Sequence, residues 1–217
     1  MREETLKKIA ESKVIAIVRG FYGETCVKLA NALAEGGVEL LEVTFDQLSA
    51  EDRLRTADTI RLLNEKLSDR MLFGAGTVTT VEMVRAAHEA GAAFIISPDT
   101  NEEVIRETRR LGMVSIPGAF SPTEIRMAHD FGGDFIKVFP ANILGPGYFK
   151  SVRAPLSHIP LLAVGGVDAQ NIRAYLDAGC AGAGLASCLY KKEWIAEGAW
   201  DKVTEAAKKL MEAVRSC

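Results

Sequence analysis

A chain of 217 residues, 48% of them hydrophobic and 25% charged, is long enough to bury a sizeable core and suits one domain or two small ones. The net charge of −3, without a basic stripe or polybasic tail, argues against nucleic acid and anionic membrane as partners. The charged opening MREETLKKIAESK lacks the apolar stretch of a signal peptide, and no run is long enough to span a bilayer, so a cytoplasmic protein is expected.

From there short apolar runs alternate with amphipathic segments. In chain order the runs are VIAIVR (14–19), VELLEVTF (38–45), MLFGAG (71–76), AFIIS (93–97), MVSIPG (113–118), DFIKVFP (134–140), LLAVGG (161–166) and AGAGLA (181–186). Each is too short for a helix and rich in β-branched or small residues, which reads as strand. Segments of helical period lie between them, such as GETCVKLANALAEGG, TTVEMVRAAHEAG and SPTEIRMAHDFGG. The words AEGGVEL, HEAGAAF, RLGMVS, DFGGDF and DAGCAG each place glycine just past a helix, where positive φ is wanted, with a strand at once behind it. Thr79 or Thr80, Ser121 before Pro122, and Asp168 are expected N-caps. The segment from Lys191 onward reads as one closing helix.

This rhythm gives eight strand–helix units, the number in a (β/α)8 barrel. The expected fold class is therefore α/β, a (β/α)8 TIM barrel filling residues 1–217 as a single domain, with no linker to divide it. The rival, a doubly wound sheet, wants a glycine-rich dinucleotide turn after an early strand, and RGFYGET is not that pattern. Cys26, Cys180, Cys188 and Cys217 are scattered without ligand spacing and read as reduced thiols. His88, His129 and His158 neighbour neither each other nor a cysteine, so no metal site is expected.

Two ionisable residues stand in the middle of apolar runs. Strand alternation places Leu40, Glu42 and Thr44 on one face of the second run, and Phe135, Lys137 and Phe139 on one face of the sixth. Both Glu42 and Lys137 can face a barrel interior. A buried ion pair serving as core filler is the bland reading. The functional reading is an amine whose pKa is lowered by burial so that it attacks a carbonyl, with Glu42 moving protons for it. The last two runs end in Gly165-Gly166 and in GAGLASC, with Gly184 and Ser187. Each leads toward a helix start, and such turns make phosphate cradles at the mouths of barrels. GAGTV (74–78) adds a third glycine turn with the Thr77 hydroxyl, and Arg19 ends the first run with a guanidinium suited to a carboxylate or phosphate.

The ordered words GGVELLEVTF, GAGTV, FIISP, IPGAFSPTE, FIKVFPA and GGV resemble the bacterial aldolases that split 2-keto-3-deoxy-6-phosphogluconate and, in many members, 4-hydroxy-2-oxoglutarate. The resemblance covers nearly the whole chain. It implies a (β/α)8 barrel, usually a homotrimer, that cleaves a 2-keto-4-hydroxy acid, phosphorylated or not, to pyruvate and an aldehyde by Schiff-base chemistry, with neither metal nor other cofactor. By position, Lys137 matches the imine-forming lysine and Glu42 the proton-shuttling glutamate. Thr77 matches the threonine that holds the pyruvate carboxylate, and Pro98 and Phe139 match pocket walls. Gly165, Gly166 and Ser187 match the phosphate-binding elements. Three positions depart: Asp46 stands where many members have arginine, Val164 where many have threonine, and Asp99 where many have glycine. Some members carry arginine at the end of the first strand instead, as Arg19 does here. Two other readings remain: a phosphate-binding barrel isomerase or synthase working through carboxylates, and a non-catalytic trimeric relative that binds a sugar acid.

Overall fold

A computed structural model describes residues 2–215. Every expected run supplies strand: β1 (Val14–Val18), β2 (Leu40–Thr44), β3 (Leu72–Gly76), β4 (Phe94–Ile96), β5 (Val114–Ile116), β6 (Gly118–Ala119), β7 (Ile136–Val138), β8 (Leu161–Val164) and β9 (Gly182–Leu185). The fifth run is the one that splits, because Pro117 between β5 and β6 has no N–H to give to a ladder. All pairings are parallel, in the order β5-β4-β3-β2-β1-β9-β8-β7-β6. The two ends of that order are one continuous piece of chain. Asp134 N donates to Ser115 O at 2.8 Å and Lys137 N to Pro117 O at 2.9 Å, so the ladder crosses the break and the sheet closes on itself. The fold is the expected (β/α)8 barrel.

The helices are α1 (Arg2–Ser12), α2 (Gly23–Glu35), α3 (Ala50–Leu67), α4 (Val81–Glu89), α5 (Glu102–Arg110), α6 (Pro122–Asp130), α7 (Ala141–Arg153), α8 (Ile172–Asp177), α9 (Lys192–Glu197) and α10 (Trp200–Arg215). Thr80 rather than Thr79 caps α4, accepting from Met83 N, and Ser121 forms a reciprocal capping box with Glu124 at α6. Gly37, Gly91, Gly112, Gly132 and Gly179, behind α2, α4, α5, α6 and α8, have positive φ, as their strand-entry role requires. Two expectations fail. Asp168 does not cap α8; its carboxylate is spent on a tight turn, accepting from Gln170 N and Asn171 N, and the helix starts after Asn171. The closing segment is two helices, because Gly198 turns left-handed at φ 68 and ends α9 before α10 begins.

Apolar residues form two layers. The larger lies between the strands and the outer helices. The smaller fills the barrel bore: Ile15, Leu40, Phe94, Ile96, Val114, Ile116, Phe135 and Leu162. Ile9 of α1, 1% exposed, joins this inner cluster, and Leu6 packs against it. Contacts of α1 with β1, β5 and β9 set it across the N-terminal end of the bore. The opening segment is thus a plug, which its high charge concealed. Cys26, Cys180 and Cys188 are free, and burial pushes the thiols of Cys26 and Cys180 up to about 12, which disfavours the reactive thiolate. Cys217 lies outside the described residues.

Cutting the plug's main contact tests its weight. Ile9→Ala should cost about 2–4 kcal/mol, the range for a large-to-small change in a packed core. Equilibrium urea unfolding reads this as a lower midpoint at unchanged slope, and a cost below about 1 kcal/mol would show that α1 merely rests on the barrel.

Candidate active site

The bore changes character toward the C-terminal ends of its strands. Two residues beyond Ile15, Leu40, Phe135 and Leu162, the same strand faces carry Ile17, Glu42, Lys137 and Val164. These line a cavity of about 290 Å³ that opens at the mouth of the barrel. Arg19, Thr77, Pro98, Phe139, Gly165, Gly166 and Ser187 complete the lining. Every site residue expected from the sequence therefore lies on a single wall system, although the residues come from separate strands.

Lys137 is 8% exposed and Glu42 1%. Burial drives the Lys137 ammonium below its ordinary 10.5; the Glu42 carboxylate opposes that shift and the Arg19 guanidinium adds to it. Burial also raises the Glu42 carboxyl above its ordinary 4.5, against the pull of Lys137 and Arg19. Among the described residues no hydrogen bond or ion pair joins the two, and Glu42 Oε2 is a buried oxygen without a hydrogen-bond partner. A pair retained as core filler would close on itself to offset its desolvation. This pair instead faces a cavity. Room for the carboxylate comes from Gly76, where a Cβ would sit 1.5 Å from Glu42 Oε1. Lys137 Nζ also lies 5.1 Å from the centroid of Phe139, an aromatic left 43% exposed at the mouth.

Arg19 turns inward. Its Nη2 donates to Thr77 Oγ1 at 3.2 Å, while Glu24, a carboxylate on the outer helix α2, pairs with Lys66. Thr77 holds φ at 56°, a left-handed conformation uncommon for a β-branched residue. Gln47 braces it, donating from Nε2 to Thr77 O at 2.7 Å and accepting from Thr79 Oγ1 at 2.9 Å. On the opposite side of β1, Tyr190 OH contacts Ile17 O and Arg19 N. Neither Gln47 nor Tyr190 was singled out in the sequence, where a lone polar residue in a loop and a lone tyrosine in SCLYKK carry no pattern.

The glycine turns also need adjustment. Gly165 and Gly166 adopt φ of 100° and 70°, pinned by Asn142 N on Gly165 O at 3.0 Å and by Asn171 Nδ2 on Gly166 O at 2.9 Å. The helices behind them, α8 and α9, begin only at Ile172 and Lys192, so no helix start abuts Gly166 or Ser187. Any anion held there meets turn backbone, not a helix end. Of the three departures, Asp46 lies outside the cavity lining and shapes its loop by accepting from Leu48 N at 2.7 Å and Ser49 N at 3.1 Å. Val164 makes the wall apolar where a hydroxyl is common, and Asp99 acts on Lys137 only through charge. Among the described residues no group of three or more His, Cys, Asp or Glu is placed to hold a metal ion.

A parallel barrel with a buried amine and a buried carboxylate at its mouth is equipped for imine chemistry on small carbonyl compounds. The comparisons narrow this class. The KDPG and KHG aldolase family profile matches residues 5–206. The chain is 34% identical over 203 residues to the 2-dehydro-3-deoxy-6-phosphogalactonate aldolase of Escherichia coli K12, spanning 93% of this chain and 96% of that protein. It is 34% identical over 216 residues to the 2-dehydro-3-deoxy-phosphogluconate aldolase of Treponema pallidum, spanning 97% and 96%. A crystal structure of KDPG aldolase from Legionella pneumophila, with pyruvate captured at low pH as a covalent carbinolamine, matches with a TM-score of 0.82 at 28% identity over 93% of this chain and 95% of that one. The chain belongs to the KDPG and KHG aldolase family.

The Lys137 environment has a measurable signature. After reductive ¹³C-methylation, the Lys137 resonance should titrate below the ordinary 10.5. Glu42→Gln should move the Lys137 midpoint lower still, because the carboxylate is the neighbour that favours the charged amine. A midpoint at or above 10.5 would mean that the ammonium is not desolvated.

Proposed function

We propose that the chain is a class I aldolase that cleaves a 2-keto-4-hydroxy acid, such as 2-keto-3-deoxy-6-phosphogluconate or 4-hydroxy-2-oxoglutarate, to pyruvate and an aldehyde. The observation that carries the reading is the buried Lys137, its ammonium disfavoured, sharing a cavity with an unpartnered Glu42 oxygen. Family membership supports it.

The neutral Lys137 amine attacks the C2 carbonyl, and the carbinolamine loses water to give an iminium. Glu42 takes the proton of the C4 hydroxyl. The C3–C4 bond breaks, its electron pair flows into the iminium to form an enamine, and the aldehyde departs. The enamine takes a proton at C3, and hydrolysis returns the amine and pyruvate. Burial raises the Glu42 carboxyl above its ordinary 4.5, which makes it a stronger proton acceptor than a solvent-exposed carboxylate. The iminium is the electron sink, so neither metal nor organic cofactor is called for.

Arg19 and Thr77, already bonded to each other, together grip the C1 carboxylate. Pro98 and Phe139 wall the reacting carbons. The backbone of Gly165 and Gly166 with the Ser187 hydroxyl receives a distal phosphate. The family resemblance supports a homotrimer, and the charged opening and scattered thiols support a cytoplasmic enzyme; among the described residues no helix is long and apolar enough to cross a membrane. A carboxylate-only isomerase would have no use for Lys137 in this cavity.

Pyruvate with borohydride should add one pyruvate-derived mass to the peptide holding Lys137. Label on another lysine, or none on active enzyme, would overturn the mechanism. In the same assay Glu42→Gln should still trap slowly, while turnover falls by about 100-fold as for a lost general base. Arg19→Ala should raise KM for the keto acid by roughly 10- to 100-fold, and Arg19→Lys should recover only part, since an ammonium cannot reproduce the guanidinium fork. Unchanged KM in Arg19→Ala would place the carboxylate elsewhere.

A further inference from the structure

The substrate-facing guanidinium depends on a backbone that one neighbouring strand abandons early. β2 pairs with β1 as far as Val18, opposite Val43. On the other flank, β9 pairs with β1 only as far as Ala16, opposite Leu185, before its chain turns away toward Ser187. In a parallel ladder a single residue on the neighbouring strand serves the carbonyl of one residue and the N–H two positions on. With β9 gone, Ile17 O and Arg19 N are the two groups on that flank, one either side of Val18.

The Tyr190 hydroxyl serves both. It donates to Ile17 O at 2.9 Å and accepts from Arg19 N at 3.3 Å. The side chain is 8% exposed, and its ring is met edge-on by Phe21 at 5.8 Å between centroids. We propose that Tyr190 is a positioning residue whose hydroxyl stands in for the missing ladder residue opposite Val18, and so fixes the backbone from which Arg19 reaches Thr77 and the substrate carboxylate. The part concerning substrate rests on the role of Arg19 proposed above.

Three features favour this over simple core packing. The hydroxyl contacts main chain only, at the two positions a strand would have used. The next residue, Gly20, has φ 77°, so the chain behind Arg19 is free to swing unless it is tied at Arg19 N. Burial also raises the Tyr190 phenol above its ordinary 10.0, which favours the protonated hydroxyl that the bond to Ile17 O needs. An arginine on a loosened rim must be ordered at each binding event, and that ordering weakens affinity without touching the chemical step.

Tyr190→Phe removes the oxygen and keeps the ring. The pyruvate concentration for half-maximal borohydride trapping should rise by about 3- to 10-fold, the size expected for one lost hydrogen bond, with the saturating trapping rate little changed. In an Arg19→Ala background the same substitution should change that concentration by less than about 2-fold, since there is no guanidinium left to position. Amide hydrogen exchange at Arg19 should quicken by about tenfold or more in Tyr190→Phe, while β1 amides before Val18 keep their protection. An equal loss in both backgrounds would show that Tyr190 acts through packing, and an Arg19 amide that exchanges alike in wild type and variant would show that the hydroxyl does not hold it; either result overturns the proposal. Failure of wild-type protein to trap pyruvate would instead defeat the aldolase reading, and the exchange measurement would still decide whether Tyr190 anchors Arg19.

Discussion

Desolvation of Lys137 is the constraint to which the rest of the molecule answers. An ammonium in an apolar bore is unfavourable, and it is kept there only because the surrounding barrel is rigid and closed. The plug of α1 and the apolar layer beneath seal the lower end of the bore. The ladder across Pro117 closes the sheet beside β7, so that Lys137 cannot swing out to water. Glu42 is held nearby without touching it. The two groups tilt the fold in opposite pH directions. The Lys137 amine binds its proton less tightly when folded, so its penalty is full at low pH and is relieved as pH rises through its lowered value toward 10.5. The Glu42 carboxyl binds its proton more tightly when folded, so its contribution is full below 4.5 and is lost as pH rises through its raised value.

Replacement of the family's frequent arginine by Asp46 looks at first like the loss of an anion site. Under the role proposed for Arg19, the charge is moved rather than lost. The Asp46 carboxylate organises the start of the loop that leads to α3, and the next residue, Gln47, reaches across to the Thr77 carbonyl. The positive charge comes from the adjacent strand through Arg19, which meets the other side of Thr77. Thr77 thus sits between two supports, and its left-handed backbone is the shape that accommodates both. Val164 makes the nearby wall apolar.

Period and punctuation carried most of the fold. Strand alternation alone puts Glu42 and Lys137 in the bore, and the glycine behind each helix marks where a strand begins. What escaped was set by tertiary context. Pro117 is visible in the sequence, but that the break falls where the barrel closes depends on which strands become neighbours. The opening helix buries Ile9 and Leu6 beneath a surface so charged that its inner face is hard to see. Asp168 is a good cap by residue type, and a turn competes for it successfully. Gln47 and Tyr190 act on backbone groups of distant residues, and nothing in a local pattern announces such a bond. The line between what could and could not be read is the line between local periodicity and three-dimensional adjacency.

The contact of Glu42 with Gly76 has an evolutionary side. A methyl group at position 76 would overlap the carboxylate outright, and glutamine at position 42 occupies the same space. The atoms that would be struck are the outer part of the Glu42 side chain, so a residue larger than glycine at 76 would either turn the carboxylate out of its present place in the cavity or call for a shorter residue at 42. Steric exclusion thus couples the two positions: relatives that hold the glutamate in this pose should keep the glycine.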